Sequence, residues 1–319
     1  MILLYLFVFL VSCFLLYFSG EWVIGGLMRM ARFLGWREFV VAFFVMAFAA
    51  SLPNLFIGVT SALKGTPQLS FGDVAGNNII ALTLAVALAT LFAKGKAIPA
   101  ESRMVQATSI FTIAAALLPL FLIFDGELSR IDGLLLIAFF VFYLCWLFSK
   151  KERFTKVYDA HKTPFIKELK IFFKDIGKLI LGIILLVISA QGIVASAQFF
   201  ALTFKVPIIL IGLLITGFGS ALPEIYFAVV SAKRDETWMI LGNLMGAVIV
   251  PATLVLGIVS LISPIEILDF SPLIIARIFL IISALFFFSF VRTGRQITKR
   301  EALFLVLIYI AFVLFILFF

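Results

Sequence analysis

The chain has 319 residues, 64% of them apolar and only 13% charged, with a formal net charge of +8. A water-soluble domain carries about 25% charged residues, so a soluble enzyme is excluded. Nucleic acid is not an expected partner either, because the basic residues stand in short clusters between oily runs and not on one surface.

Apolar stretches near 2–20, 39–63, 74–93, 105–124, 131–148, 176–200, 206–232, 238–262, 272–291 and 302–319 predict ten membrane-spanning helices. Each is long enough, or nearly so, to cross roughly 30 Å of hydrocarbon. The first lacks a basic leader and a small-residue cleavage pattern, and reads as a retained helix. Segments 39–63 and 206–232 hold several small residues and are expected to bend or break within the bilayer. Asp73 falls at the start of segment 74–93, where a helix cap and an intramembrane ligand are both readings. Cys13 and Cys145 are isolated within apolar runs, which indicates neither a disulfide framework nor a thiolate metal site.

The longest polar connection, 149–175, separates a five-helix unit at 1–148 from another at 176–319. Its His161 reads as an ordinary loop residue. With the amino terminus outside, 21 of the 25 Lys and Arg residues fall on the cytoplasmic side. Both termini are therefore expected outside and the basic linker in the cytoplasm, where it suits contact with anionic lipid. An odd number of helices per unit inverts the second relative to the first, so the predicted architecture is an all-α membrane protein of two inverted five-helix repeats.

The repeat is visible in the residues. Ser51-Leu52-Pro53-Asn54 followed by Gly72-Asp73-Val74-Ala75-Gly76 recurs 170 positions later as Ala221-Leu222-Pro223-Glu224 followed by Gly242-Asn243-Leu244-Met245-Gly246. Pro53 and Pro223 each remove an amide donor, which frees a carbonyl that protein, water or an ion must satisfy. Gly72, Gly76, Gly242 and Gly246 serve backbone kinks and gating on one reading, and close helix packing on another. Glu224 is the sharpest signal, because a carboxylate deep in hydrocarbon marks a cation site, a proton relay or an ion pair. Asn54 is its register mate and offers a neutral oxygen and an amide donor. Asp73 and Asn243 form a second register pair, Asn77 and Asn78 lie one turn further on, and Glu21 is a candidate vestibule acid. No nucleophile–base set recurs within the spans, so an enzyme is not expected.

On these motifs the chain resembles the calcium/cation antiporter superfamily, in its prokaryotic sodium/calcium exchanger branch, whose repeats carry patterns like G-T-S-L-P-E and G-N-x-x-G-S-N. The resemblance implies ten helices and ions held between the second, third, seventh and eighth. It also implies a prokaryotic plasma membrane and access alternated by helices 1 and 6. Carried over by position, the family's glutamates fall on Asn54 and Glu224, and its later Asn/Asp ligands fall on Ala81 and Pro251, which supply no side-chain ligand. The flanking positions are Ala50, Ser51 and Asn77, then Ser220, Ala221 and Ala247. The implied function is secondary cation antiport with Glu224 as the main cation or proton site, supported by Asn54, Ser51, Ser220, Asn77 and Asp73. No resident cofactor is implied, and Na⁺, H⁺ or Ca²⁺ are the candidate ions. The depleted ligand set argues against tight calcium binding. Transport of an organic solute on the same fold, and a non-transporting structural or partner-binding role, stay open as alternatives.

Overall fold

Long apolar runs satisfy their own backbone donors and acceptors only as helices. The computed structural model, which describes residues 1–33, 48, 50–149, 165–234, 237–267 and 270–318, is helical almost throughout. Helix α1 is Ile2–Phe33 and α2 is Leu52–Leu63; α3, Pro67–Ile80, passes through a π-helical turn at Ala81–Ala85 into α4, Val86–Phe92. Then follow α5 (Arg103–Leu122), α6 (Arg130–Ser149) and α7 (Phe165–Phe204). Helix α8, Ile208–Ile211, continues through a π turn at Gly212–Thr216 into α9, Gly217–Lys233. Helix α10, Thr237–Val250, continues through a π turn at Pro251–Val255 into α11, Leu256–Ile262; α12 (Phe270–Arg292) and α13 (Lys299–Phe318) complete the chain. Among the described residues nine stretches are long and apolar enough to span, and α2 is a shorter apolar helix. Residues 34–47, which hold most of the first half of the second predicted span, lie outside the described residues.

Three boundaries differ from expectation, the first being the end of α1, which runs on to Phe33 beyond the expected 2–20. Helix α3 begins at Pro67, not near 74, because proline at a first-turn position forfeits only a donor the helix start leaves unpaired. Leu69, Ser70 and Phe71 are helical and buried, so Asp73 sits nearly two turns inside a helix and is no cap. Helix α7 begins at Phe165, which makes the carboxy-terminal part of the expected linker helical. His161 lies outside the described residues. Segment 206–232 is helical without interruption from Ile208 to Lys233, and carries a π turn at Gly212–Thr216 where a break was expected.

The 170-residue register persists in backbone detail. The π turns at Ala81–Ala85 and Pro251–Val255 are register mates. So are three hydroxyl pairs that each bond the carbonyl four residues back. Ser19 and Ser189 donate to Leu15 and Leu185, each at 2.6 Å. Thr90 and Ser260 donate to Val86 and Leu256 at 2.8 and 2.6 Å. Thr83 donates to Ile79, and Thr253 to Ile249 at 2.6 Å. Two short antiparallel ribbons tie the halves together. Strand β1 (Ala97–Pro99) pairs with β4 (Gln296–Thr298), and β2 (Glu127–Leu128) pairs with β3 (Ile265–Glu266). β1 and β3 hold one place in the repeat, β2 and β4 the other, so a repeat exchange turns one ribbon into the other. Such pairing is what an inverted duplication produces.

The apolar core divides in the same spirit. Helices α3–α4, α10–α11, α12 and α13 share the largest buried cluster. A separate cluster joins Phe9, Leu16 and Val23 of α1 to Leu186, Ala190, Ile193, Val194 and Ala197 of α7, and touches the rest chiefly through Ile57, Leu69 and Ile211. Gly182 and Gly192 bring these two long helices together: a Cβ at Gly182 would stand 2.7 Å from Val23, and one at Gly192 would strike the Ser12 hydroxyl. The α1–α7 pair is thus packed as its own body against the bundle.

Candidate functional site

The site is built where α3 crosses the α8–α9 helix almost backbone to backbone. A Cβ on Gly72 would strike the Ile209 carbonyl, and one on Gly76 the Leu213 carbonyl. From the other side, a Cβ on Gly212 would lie 2.7 Å from the Leu69 carbonyl and 2.9 Å from the Asp73 amide. Gly217 would come within 3.0 Å of the Asn77 amide in the same way. Absence of side chains at these places lets the helices touch, as small residues do in membrane bundles. Gly72 and Gly76 lie inside one continuous helix and pack it against α8–α9, and Gly242 and Gly246 lie inside the continuous helix α10.

This crossing carries Asp73 into the protein interior at 0% exposure. Asn54, in the first turn of α2, donates from Nδ2 to Asp73 Oδ2 at 3.1 Å and to Ser220 Oγ at 3.2 Å. Ser220 in turn donates to Asp73 Oδ1 at 3.0 Å. Both Asp73 oxygens therefore have a donor, and α2, α3 and α9 meet at one carboxylate. Glu224 lies one turn beyond Ser220 and is 1% exposed, yet among the described residues neither of its carboxylate oxygens has a hydrogen-bond partner. It stands within electrostatic reach of Asp73. With its amide nitrogen committed twice, Asn54 leaves Oδ1 unpartnered, and Asn77 and Asn78 also leave Oδ1 unpartnered. Buried polar atoms are nearly always paired. The orphaned atoms of these residues are all carboxylate and amide oxygens, which accept a donor or a cation, and none of them is a donor.

The two prolines diverge. Pro53 stands in the opening turn of α2, just after buried Ser51, and so starts a helix. Pro223 lies inside α9, where its missing amide leaves the Gly219 carbonyl without the usual helical donor. Ala81 and Pro251, the positions without a side-chain ligand, open the two π turns and are buried. Pro251 withholds the amide that would bond Ala247, and Asn77 Nδ2 replaces it, reaching the Ala247 carbonyl at 3.4 Å. Ala247 is the register mate of Asn77, so this bond joins equivalent places in the two repeats. Asn77→Ala is expected to cost about 1–3 kcal/mol by orphaning that carbonyl. The cost should shrink in a Pro251→Ala background, where an amide returns, and a double-mutant cycle of thermal melts checks it.

Among the remaining expected residues, Asn243 is buried on α10, but no described bond joins it to the Asp73 cluster. Glu21 lies on α1 with its side chain outside the described residues. Thr216 was not singled out by sequence; it is buried one turn before Ser220 of α9, and its hydroxyl donates to the Gly212 carbonyl at 3.1 Å. The i, i+4 spacing of Thr216, Ser220 and Glu224 on one helix face was the available signal. No cluster of three His, Cys, Asp or Glu residues exists among the described residues, so the donor set is one of amides, hydroxyls and two carboxylates.

Known proteins share both chain and fold. A family model described as sodium/calcium exchanger protein matches residues 4–149 and 174–318. An uncharacterized membrane protein of Methanocaldococcus jannaschii is 27% identical over 278 residues, which cover 86% of this chain and 88% of the relative. The sodium/calcium exchanger MaX1 of Methanosarcina acetivorans is 25% identical over 329 residues, 92% of this chain and 93% of that one. Among solved structures, the sodium-calcium exchanger NCX_Mj soaked with Na⁺ and Sr²⁺ superimposes with a TM-score of 0.67 at 25% identity, over 98% of each chain.

Proposed function

Since this chain belongs to the sodium/calcium exchanger family, we propose that it is a secondary antiporter of small cations, with Glu224 as the principal cation or proton site. The observation that carries this reading is the pair of Glu224 oxygens, buried and without a hydrogen-bond partner among the described residues. An uncompensated buried carboxylate costs several kcal/mol. A bound cation or a proton removes that cost. One carboxylate that holds either, but not both at once, supplies the mutually exclusive occupancy that exchange requires.

The oxygen set favours a monovalent ion or a proton over calcium. Calcium takes six to eight hard oxygens, and Ala81 and Pro251 supply none from their side chains. Transport proceeds, on this reading, as the α1–α7 pair shifts across the bundle, since it has its own apolar core and meets the rest through few buried side chains. The Lys and Arg bias orients the chain with both termini outside and residues 149–175 in the cytoplasm, where they face anionic lipid. A prokaryotic plasma membrane is the location that suits this reading.

A thermal-stability screen of the purified protein against Na⁺, K⁺, Ca²⁺, Mg²⁺ and pH tests this. A specific ligand at a hundred times its Kd stabilises the folded state by about 2.7 kcal/mol. Saturable stabilisation by at least one cation is expected. A flat response to all of them contradicts the reading and directs attention to an organic solute or to a structural role.

A further inference from the structure

The two repeats carry their acids in different places. In the second repeat the first motif bears the acid, Glu224, and the second motif bears an amide, Asn243. In the first repeat the first motif bears the amide, Asn54, and the second bears the acid, Asp73. Positions 54 and 224 are register mates, as are 73 and 243. Acid and amide have changed places between the halves.

The structure gives this exchange a physical sense. Asn54 and Asp73 are both 0% exposed and in direct contact, with Nδ2 and Oδ2 3.1 Å apart. Transfer of the acid from α2 to α3 therefore moves the negative charge by little more than one hydrogen bond. Ser220, which donates to Asp73 and accepts from Asn54, holds the pair against the helix turn that leads to Glu224. Each Asp73 oxygen accepts one of these bonds and keeps further lone-pair capacity, while Asn54 Oδ1 is buried and unpartnered. The pair thus presents what an acid at 54 and an amide at 73 would present: one negative charge and one free neutral oxygen.

Resting on the cation-antiport reading, we propose that Asn54 and Asp73 form a transposed acid–amide pair in which Asp73 is the first repeat's cation-binding acid. The site then carries two formal negative charges and takes two monovalent cations or protons in place of one. Ser220 positions the Asp73 carboxylate and does not itself supply charge.

Restoring the charge to its mirrored position tests the proposal. Purified wild type, Asp73→Asn, Glu224→Gln and the exchange variant Asn54→Asp/Asp73→Asn are titrated with the cation that stabilises the wild type. Asp73→Asn is expected to weaken the response by roughly thirtyfold or more, as when one partner of a buried charge pair is removed. The exchange variant is expected to recover most of it. An Asp73→Asn protein that responds like wild type overturns the proposal. So does an exchange variant that elutes as a folded protein but responds no better than Asp73→Asn. Loss in Glu224→Gln with an intact Asp73→Asn response leaves the antiport reading standing and removes only this inference. A wild type that responds to no cation removes both.

Discussion

Glu224→Gln is expected to reduce cation-coupled flux in proteoliposomes to the level of empty vesicles, while the purified protein keeps its elution profile. The substitution is nearly isosteric and retains one oxygen, so packing around the 1% exposed side chain is preserved. What is lost is the charge, together with one acceptor oxygen. Removal of the charge takes away the one feature that makes an empty site costly, and with it the cation's main attraction. Loss of a directly paired buried charge is worth at least about 2–5 kcal/mol, a drop in affinity large enough to silence exchange at ordinary ion concentrations. Wild-type rates of coupled flux in the Gln variant would show that exchange does not run through this carboxylate.

Gly76→Val is expected to have the largest effect on the fold. A Cβ at this position meets the Leu213 carbonyl oxygen, with the carbonyl carbon at 2.9 Å and Cα at 3.1 Å. The obstructing atoms are backbone, which cannot rotate aside, so α3 must separate from the α8–α9 helix and withdraw Asp73 from Ser220. Overpacking in a tight core costs about 1–3 kcal/mol and sometimes more, and a valine at a backbone crossing belongs at or above the upper end. Thermal melts and the yield of monodisperse protein measure it. Gly177→Ala on α7 is the control, since a Cβ there meets nothing within 4 Å; it should match or exceed wild type, because alanine favours helix by about 1 kcal/mol.

Much of the architecture was legible because hydropathy reports what faces lipid and the 170-residue register reports duplication. The same logic explains the misplaced start of α3. Most of the α3–α4 helix is buried in protein and not in lipid, so Pro67, Gln68 and Ser70 could sit in a span without the oily signature that marks one. Asp73 remained ambiguous for that reason alone: with the boundary at 74 it looked like a cap, and with the boundary at 67 it becomes the centre of the cluster. Glu224 and Asn54 stood out because helix-breaking, small and polar residues coincide there in both repeats. Thr216 did not, since a threonine inside a helix ordinarily bonds its own backbone, as Thr216 also does to Gly212 at 3.1 Å. The role of Pro251 was likewise hidden. Its sequence shows a missing ligand, while its structure shows a missing amide answered across the repeat interface by Asn77.

Counterflow tests the central claim most directly. Vesicles containing the purified protein are loaded with the stabilising cation and diluted into buffers that contain or lack an exchangeable cation, with pH controlled on both sides. Efflux is predicted only when a cation or a proton gradient is available in exchange. Efflux of equal rate into a medium that offers neither, or no protein-dependent efflux under any gradient, would contradict antiport through the Glu224 site.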